Sequence, residues 1–173
     1  MPHLDMPHEG SAPSSSVALP SAGAASPAAA DSTIDVGIHL GAVPVVALPW
    51  PDDCGGECVF IGRTRGETHA QFGRLLRLEY EMYEPMAVTV MHAMALDAAE
   101  RLGCRAVRIV HAKGPVALGE ASVVIQVATA HRGESFVACK HLIDRIKHEL
   151  PVWKREIWER GSTFVEGSVA HSA

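Results

Sequence analysis

The chain has 173 residues, 47% apolar and 20% charged, which suits one domain with a sizeable hydrophobic core and leaves no room for two. No apolar run approaches the roughly 18 to 20 residues that span a bilayer, so an integral membrane protein is not expected. Four scattered cysteines (Cys54, Cys58, Cys104, Cys139) do not make a disulfide-stapled scaffold, and a net charge of −5 does not make a generic polyanion binder.

The first 33 residues read as a disordered tail. Ser, Ala, Pro and Gly dominate SAPSSSVALPSAGAASPAAADS, and little in it could offset the entropy of ordering. It lacks the basic start and solid apolar block of a signal peptide and the arginines of a transit peptide, so a cytoplasmic location is expected. The ordered domain is expected over 34–167, with a flexible C-terminus at 168–173. Within it, Ile34–Leu40 and Val43–Leu48 read as strands separated by Gly41, and PWPDDCGG makes a turn. Glu57–Arg63 reads as a buried strand, and Arg74–Tyr80 alternates as RLLRLEY. Pro85 suits a first helical turn. Ala87, Met91, Met94, Ala95, Ala98 and Leu102 then share one helix face, and Gly103 is a natural stop. Cys104–His111 and Ala121–Ala130 are strand-like, joined by KGPVALGE as the turn. A second helix is predicted over 133–150, with Phe136, Cys139, Ile143, Ile146 and Leu150 inward and Pro151 ending it. Short strands follow to Gly167, with a turn at Glu159–Ser162. This order, β-β-β-α-β-β-α-β, is an α+β pattern rather than a doubly wound parallel sheet.

Charge and motif spacing locate the chemistry. Residues 1–62 hold seven acids and neither lysine nor arginine. All 15 basic residues come later, against 13 acids, so anion binding belongs after position 62. Three of only four lysines stand at 140, 147 and 154. Lys140 reads as solvated helix surface. Lys147 and Lys154 flank Pro151, and a helix end followed by a turn can aim both ammonium groups into one hollow, where proximity favours the nucleophilic amine. His131–Arg132 join the strongest strand to a helix start, a place that favours an anion, although a helix cap and a surface charge would explain them equally. Arg63 and Arg65 in GRTRGE also follow a strand, and with His131 and Arg132 they could hold a phosphate.

Other constellations are weaker. Cys54 and Cys58 lack two further ligands for zinc, and nothing organises His39, His69 and His92, so no metal site is expected. Gly-rich phosphate loops, G-x-S-x-G and H-E-x-x-H are absent. Glu79 and Glu81 read as a solvated strand edge, and Trp153 and Trp158 as core or interface.

The run AHRGESF followed by IDRIKHELPVWKRE resembles the large, catalytic subunit of molybdopterin synthase. The resemblance rests on Thr129–Ala130–His131–Arg132, on Lys147, and on Pro151–Val152–Trp153–Lys154–Arg155–Glu156. It extends to LEYEMYEPMA (Leu78–Ala87), GPVALGEASVVI (Gly114–Ile125) and Gly62–Arg63–Thr64–Arg65, about two thirds of the chain in all. It implies an α/β hammerhead with an additional antiparallel sheet. It also implies transfer of two sulfurs to cyclic pyranopterin monophosphate from the thiocarboxylated C-terminal glycine of a small ubiquitin-like carrier, and no cofactor. Lys147 and Lys154 are implied as the catalytic pair, by charge stabilisation or a transient covalent link. Arg63, Thr64, Arg65, His131, Arg132, Arg155 and Glu156 are implied as substrate-binding residues. The implied assembly is a homodimer within a heterotetramer, in which the arginine matching Arg65 reaches across the dimer interface. One departure is evident: family members usually carry a helix before the strand that is ECVFIGR here, whereas HLGAVPVVALPWPDDCGG has two prolines and little helical periodicity. A binding scaffold of the same pathway, with the pocket but no turnover, is the alternative.

Overall fold

The computed structural model describes residues 32–46 and 50–165. The chain runs β1 (Thr33–Leu40), β2 (Gly56–Arg63), β3 (Thr68–His69), β4 (Gly73–Met82), α1 (Glu84–Leu102), β5 (Ala106–Ala117), β6 (Ala121–Thr129), α2 (Arg132–Glu149), β7 (Val152–Trp158) and β8 (Gly161–Val165). Of the expected terminal tails, only Ser32 and Thr33 fall within the described residues, and Thr33 already pairs with Ala106 at the start of β1.

The helices end where their sequences say they should. Pro85 lies in the first turn of α1, with Glu84 there and Arg101 in the last turn, each complementing the helix dipole. Gly103 closes α1 at φ 68°, a left-handed conformation open to glycine at little cost. In α2 the last turn is completed by the Leu150 N–H donating to the Ile146 carbonyl, and Pro151 then turns the chain into β7.

The strands form one continuous path, β2-β6-β5-β4-β7-β8. All pairings on this path are antiparallel, while β1 runs parallel to β5. Strand β5 joins two sheets. Its first part, from Ala106, pairs with β1 and β6, and β1 leaves its edge at Lys113. From Gly114 onward β4 takes over that edge, pairing Tyr80 with Gly114 and Arg77 with Ala117. Gly114 makes the change of direction at φ 82°. Strands β1, β2, β5 and β6 with the two helices form the hammerhead, and β4, β7, β8 and the end of β5 form the added antiparallel sheet.

Two cores follow from strand alternation. Met91, Met94, Ala95 and Ala98 of α1 and Ala138, Leu142, Ile143 and Ile146 of α2 pack on Val107, Ile109, Ile125 and Val127. On the other side, Val110, Ala112, Val116 and Val124 pack with Leu75, Leu78, Tyr80 and Trp158.

Three expectations need correction. Residues 43–46 are not a strand: Val43 plugs the second core and donates its N–H to the Ala121 carbonyl, while 47 and 48 lie outside the described residues. KGPVALGE is not all turn, because β5 continues to Ala117 and only Leu118–Glu120 reverse the chain. Phe136 is 62% exposed; Ser135, Ala138 and Leu142 are buried in α2 instead. The departure at 41–55 stands, since its described residues contain neither helix nor strand.

Candidate active site

Strand β7 alternates, and the alternation sorts its charged residues. Register sets Tyr80 opposite Lys154 and Glu79 opposite Arg155. Lys154 and Tyr80 therefore share one face of the added sheet, and Arg155 and Glu79 the other. Lys154 faces a cavity of about 580 Å³ at the open end of the layer between α2 and the sheet. Lys147, in the last turn of α2, lines the same cavity, because Pro151 reverses the chain between the two lysines. Phe60 and Ile61 from β2 and Ile143 and Ile146 from α2 form apolar parts of its walls. Tyr80, His111 and Ser122 provide its neutral polar surface.

A second hollow of about 440 Å³ adjoins the first and shares Arg63, Tyr80, Lys147 and Lys154 with it. Arg65, Glu67 and Glu156 complete its charged lining. Four cations against two carboxylates make this mouth an anion site. The carboxylates also hold the cations in place. Glu156 lies 3.2 Å from the Lys154 ammonium and accepts a hydrogen bond from Thr163 Oγ1 at 3.1 Å. That hydroxyl accepts in turn from Trp158 Nε1 at 2.8 Å. Glu67 bonds Arg65 at 2.6 Å, and this hydrogen bond and the Arg65 charge hold its carboxyl below the usual range, with a smaller contribution from Lys154.

Arg63 is fixed differently. Its guanidinium donates to the Gly119 carbonyl at 2.8 Å in the β5–β6 turn. Thr64 docks the same turn through its backbone: its N–H donates to the Glu120 carbonyl at 2.9 Å, and Gly119 N–H donates to its carbonyl at 2.8 Å. The Thr64 side chain is buried, so this residue supports the arginines on either side rather than facing the hollow.

The remaining residues singled out from sequence stand elsewhere. Arg155 pairs with Glu79, which also bonds Arg77, and stacks its guanidinium 5.9 Å from the centre of the Phe164 ring. It lies on the face of β7 away from Lys154. His131 and Arg132 line a separate hollow with Gly55, Ala130 and Gly133 at the N-terminus of α2. Fifteen residues of helix separate Arg132 from Lys147, about 22 Å along the axis. Within one chain the four expected phosphate ligands therefore split into Arg63 and Arg65 at one end and His131 and Arg132 at the other. Sequence reasoning missed Tyr80, His111 and Ser122. They come from three different strands, and no local sequence pattern marks their meeting. Among the described residues, no three His, Cys, Asp or Glu side chains converge as metal ligands, and no helix is long and apolar enough to cross a membrane.

Fold and site together define a class: an α+β protein with an open cavity of mixed apolar and polar lining, whose mouth carries paired lysines and arginines. The chain belongs to the MoaE protein family, whose model matches residues 36–149. It is 39% identical over 113 residues to the molybdopterin synthase catalytic subunit of Bacillus subtilis, a match covering 65% of this chain and 71% of that protein. The human molybdopterin synthase catalytic subunit is 35% identical over 111 residues, which cover 64% of this chain and 58% of the human protein, less than two thirds of its length. The crystal structure of molybdopterin synthase from Staphylococcus aureus superposes with a TM-score of 0.62 at 34% identity, covering 66% of this chain and 82% of that one.

Proposed function

We infer that the chain, through its domain at 34–167, is the catalytic subunit of a molybdopterin synthase. It acts as a sulfurtransferase that places two sulfurs from a thiocarboxylated ubiquitin-like carrier on cyclic pyranopterin monophosphate. The observation that carries this reading is the convergence of Lys147 and Lys154, from two different elements, on one cavity whose mouth also holds Arg63 and Arg65. Both reactants are anions. A thiocarboxylate chain end and a cyclic phosphate each gain from charged hydrogen bonds, and guanidinium groups suit the phosphate in particular. The acyl carbon passes through tetrahedral species that develop negative charge, and a lysine ammonium at the mouth stabilises them in place.

The apolar parts of the cavity wall suit the uncharged part of a chain end, and Glu156 keeps Lys154 directed inward. Thr64 acts by positioning Arg63 and Arg65, and Arg155 by bracing β7 against β4. His131 and Arg132 stand too far along α2 to share a ligand with the two lysines within one chain, while Arg65, which the resemblance sends across a dimer interface, lines the hollow of its own chain. A cytoplasmic location belongs to the same proposal and suits four free thiols.

Reconstitution tests it. The purified chain is mixed with cyclic pyranopterin monophosphate and a carrier bearing either a thiocarboxylate or an ordinary carboxylate, and dithiolene is detected as its fluorescent oxidised derivative. Product is expected with the thiocarboxylate alone. A stable complex with the carrier that yields no product would reduce the chain to a binding scaffold.

A further inference from the structure

The cavity contains one group that the lysine chemistry leaves unused. His111 stands at the end of the β5–β6 pairing, opposite Val123, and is 7% exposed. Its Nδ1 lies 2.8 Å from the Ala112 carbonyl oxygen. A carbonyl can only accept, so the ring proton sits on Nδ1 and Nε2 carries the lone pair. The ring meets Tyr80 edge to face, with centres 5.2 Å apart and planes at 81°. Ser122, beside them in the cavity wall, donates its Oγ–H to the Gly62 carbonyl at 3.3 Å. The ring is therefore held on one side by backbone and on the other by the buried Tyr80 ring. It lines the same cavity as Lys147 and Lys154, with Arg63 the other charged group there.

We propose that His111 is the proton acceptor of this site, taking a proton at Nε2 from the water that opens an acyl–sulfur bond held between Lys147 and Lys154. The proposal rests on the sulfur-transfer reading. When a thiocarboxylate sulfur bonds to a substrate carbon, it is still bonded to the acyl carbon of the carrier. Water must then cut that link. Its oxygen bonds to the acyl carbon, one of its protons passes to Nε2, and the carbon–sulfur bond breaks with its electron pair left on sulfur as a thiolate. The carrier departs as the carboxylic acid, which loses its proton to solvent, as does the imidazolium. A base for this step must be neutral before it acts. Burial draws the His111 pKa below the ordinary histidine value, and the Ala112 hydrogen bond opposes this only in part.

His111→Asn tests the assignment, because its side-chain amide can still donate to the Ala112 carbonyl while offering no basic nitrogen. Single-turnover dithiolene formation by the complex with thiocarboxylated carrier is expected to slow about 100-fold or more, the usual contribution of a positioned base. Carrier binding is expected to persist. The wild-type rate should rise with pH through one ionisation below the ordinary histidine value. The other titratable and charged groups lining the cavity are Tyr80 from β4, Arg63 from β2, Lys147 from α2 and Lys154 from β7. His111→Asn at the wild-type rate overturns the assignment and leaves the sulfur-transfer reading intact. If that variant does not fold, His111→Gln replaces it, and a wild-type single-turnover rate in that variant overturns the assignment equally. A wild-type complex that makes no product overturns both.

Discussion

Replacing Thr163 by valine tests how Lys154 is held. The hydroxyl of Thr163 is the middle of a chain running from Trp158 Nε1 through Thr163 to Glu156 and on to the Lys154 ammonium. Trp158 is 5% exposed, so removing its acceptor leaves a buried indole N–H without a partner, at a cost of about 1–3 kcal/mol. A domain of this size loses about 4 °C of melting temperature per kcal/mol, so a fall of about 4–12 °C is expected. Trp158→Phe removes the donor instead, and in the double variant neither partner is left unsatisfied. The combined loss should then be smaller than the sum of the single losses by about 1 kcal/mol. Thermal and denaturant unfolding of the four proteins measure this directly. Additivity within about 0.5 kcal/mol would refute the coupling and with it this account of how Glu156 and Lys154 are positioned.

Two further outcomes concern the core. Leu142→Ala, at a fully buried position of α2, should cost about 2–5 kcal/mol, whereas Phe136→Ala on the same helix should stay within about 0.5 kcal/mol; denaturant midpoints separate the two. Burial pushes the thiols of Cys104 and Cys139 up from near 9 to about 12. An acid whose folded pKa lies above its unfolded value binds more protons when folded. Its contribution is therefore complete below pH 9 and is lost as pH rises from about 9 towards about 12. Unfolding free energies at pH 8 and 10 should show a decline that flattens in the Cys104→Ala, Cys139→Ala double variant, and an equal decline in both proteins would contradict it.

Residue periodicity and punctuation made much of the fold readable. The apolar stripe of α1, bounded by Pro85 and Gly103, and Pro151 after α2 are local signals, and the structure obeys them. The reading failed where tertiary context outweighed local chemistry. Gly114–Pro115 carry the dipeptide signature of a turn, yet β4 takes up the edge that β1 vacates and keeps β5 extended through Ala117. Phe136 fits the apolar period of α2, but Ser135 occupies the buried position, with its hydroxyl satisfied by the Arg132 carbonyl at 2.8 Å.

For the site, the turn at Pro151 correctly brought Lys147 and Lys154 together. Within one chain, α2 from 132 to 149 keeps His131 and Arg132 apart from Arg63 and Arg65, a separation set by helix length rather than by any local pattern. Strand parity separates Arg155 from Lys154 in the same way. His111, Tyr80 and Ser122 come from three strands whose meeting no local pattern announces.

The proposed transfer needs the two lysines acting at one site, and the most direct measurement is single-turnover sulfur transfer by Lys154→Ala and Lys147→Ala. Both side chains lie at the mouth of the cavity rather than in a core, so both variants should melt near the wild-type temperature and still bind the carrier. Neither should form dithiolene from thiocarboxylated carrier and cyclic pyranopterin monophosphate. Product formation by both at the wild-type rate would contradict the account and place the chemistry elsewhere on the molecule.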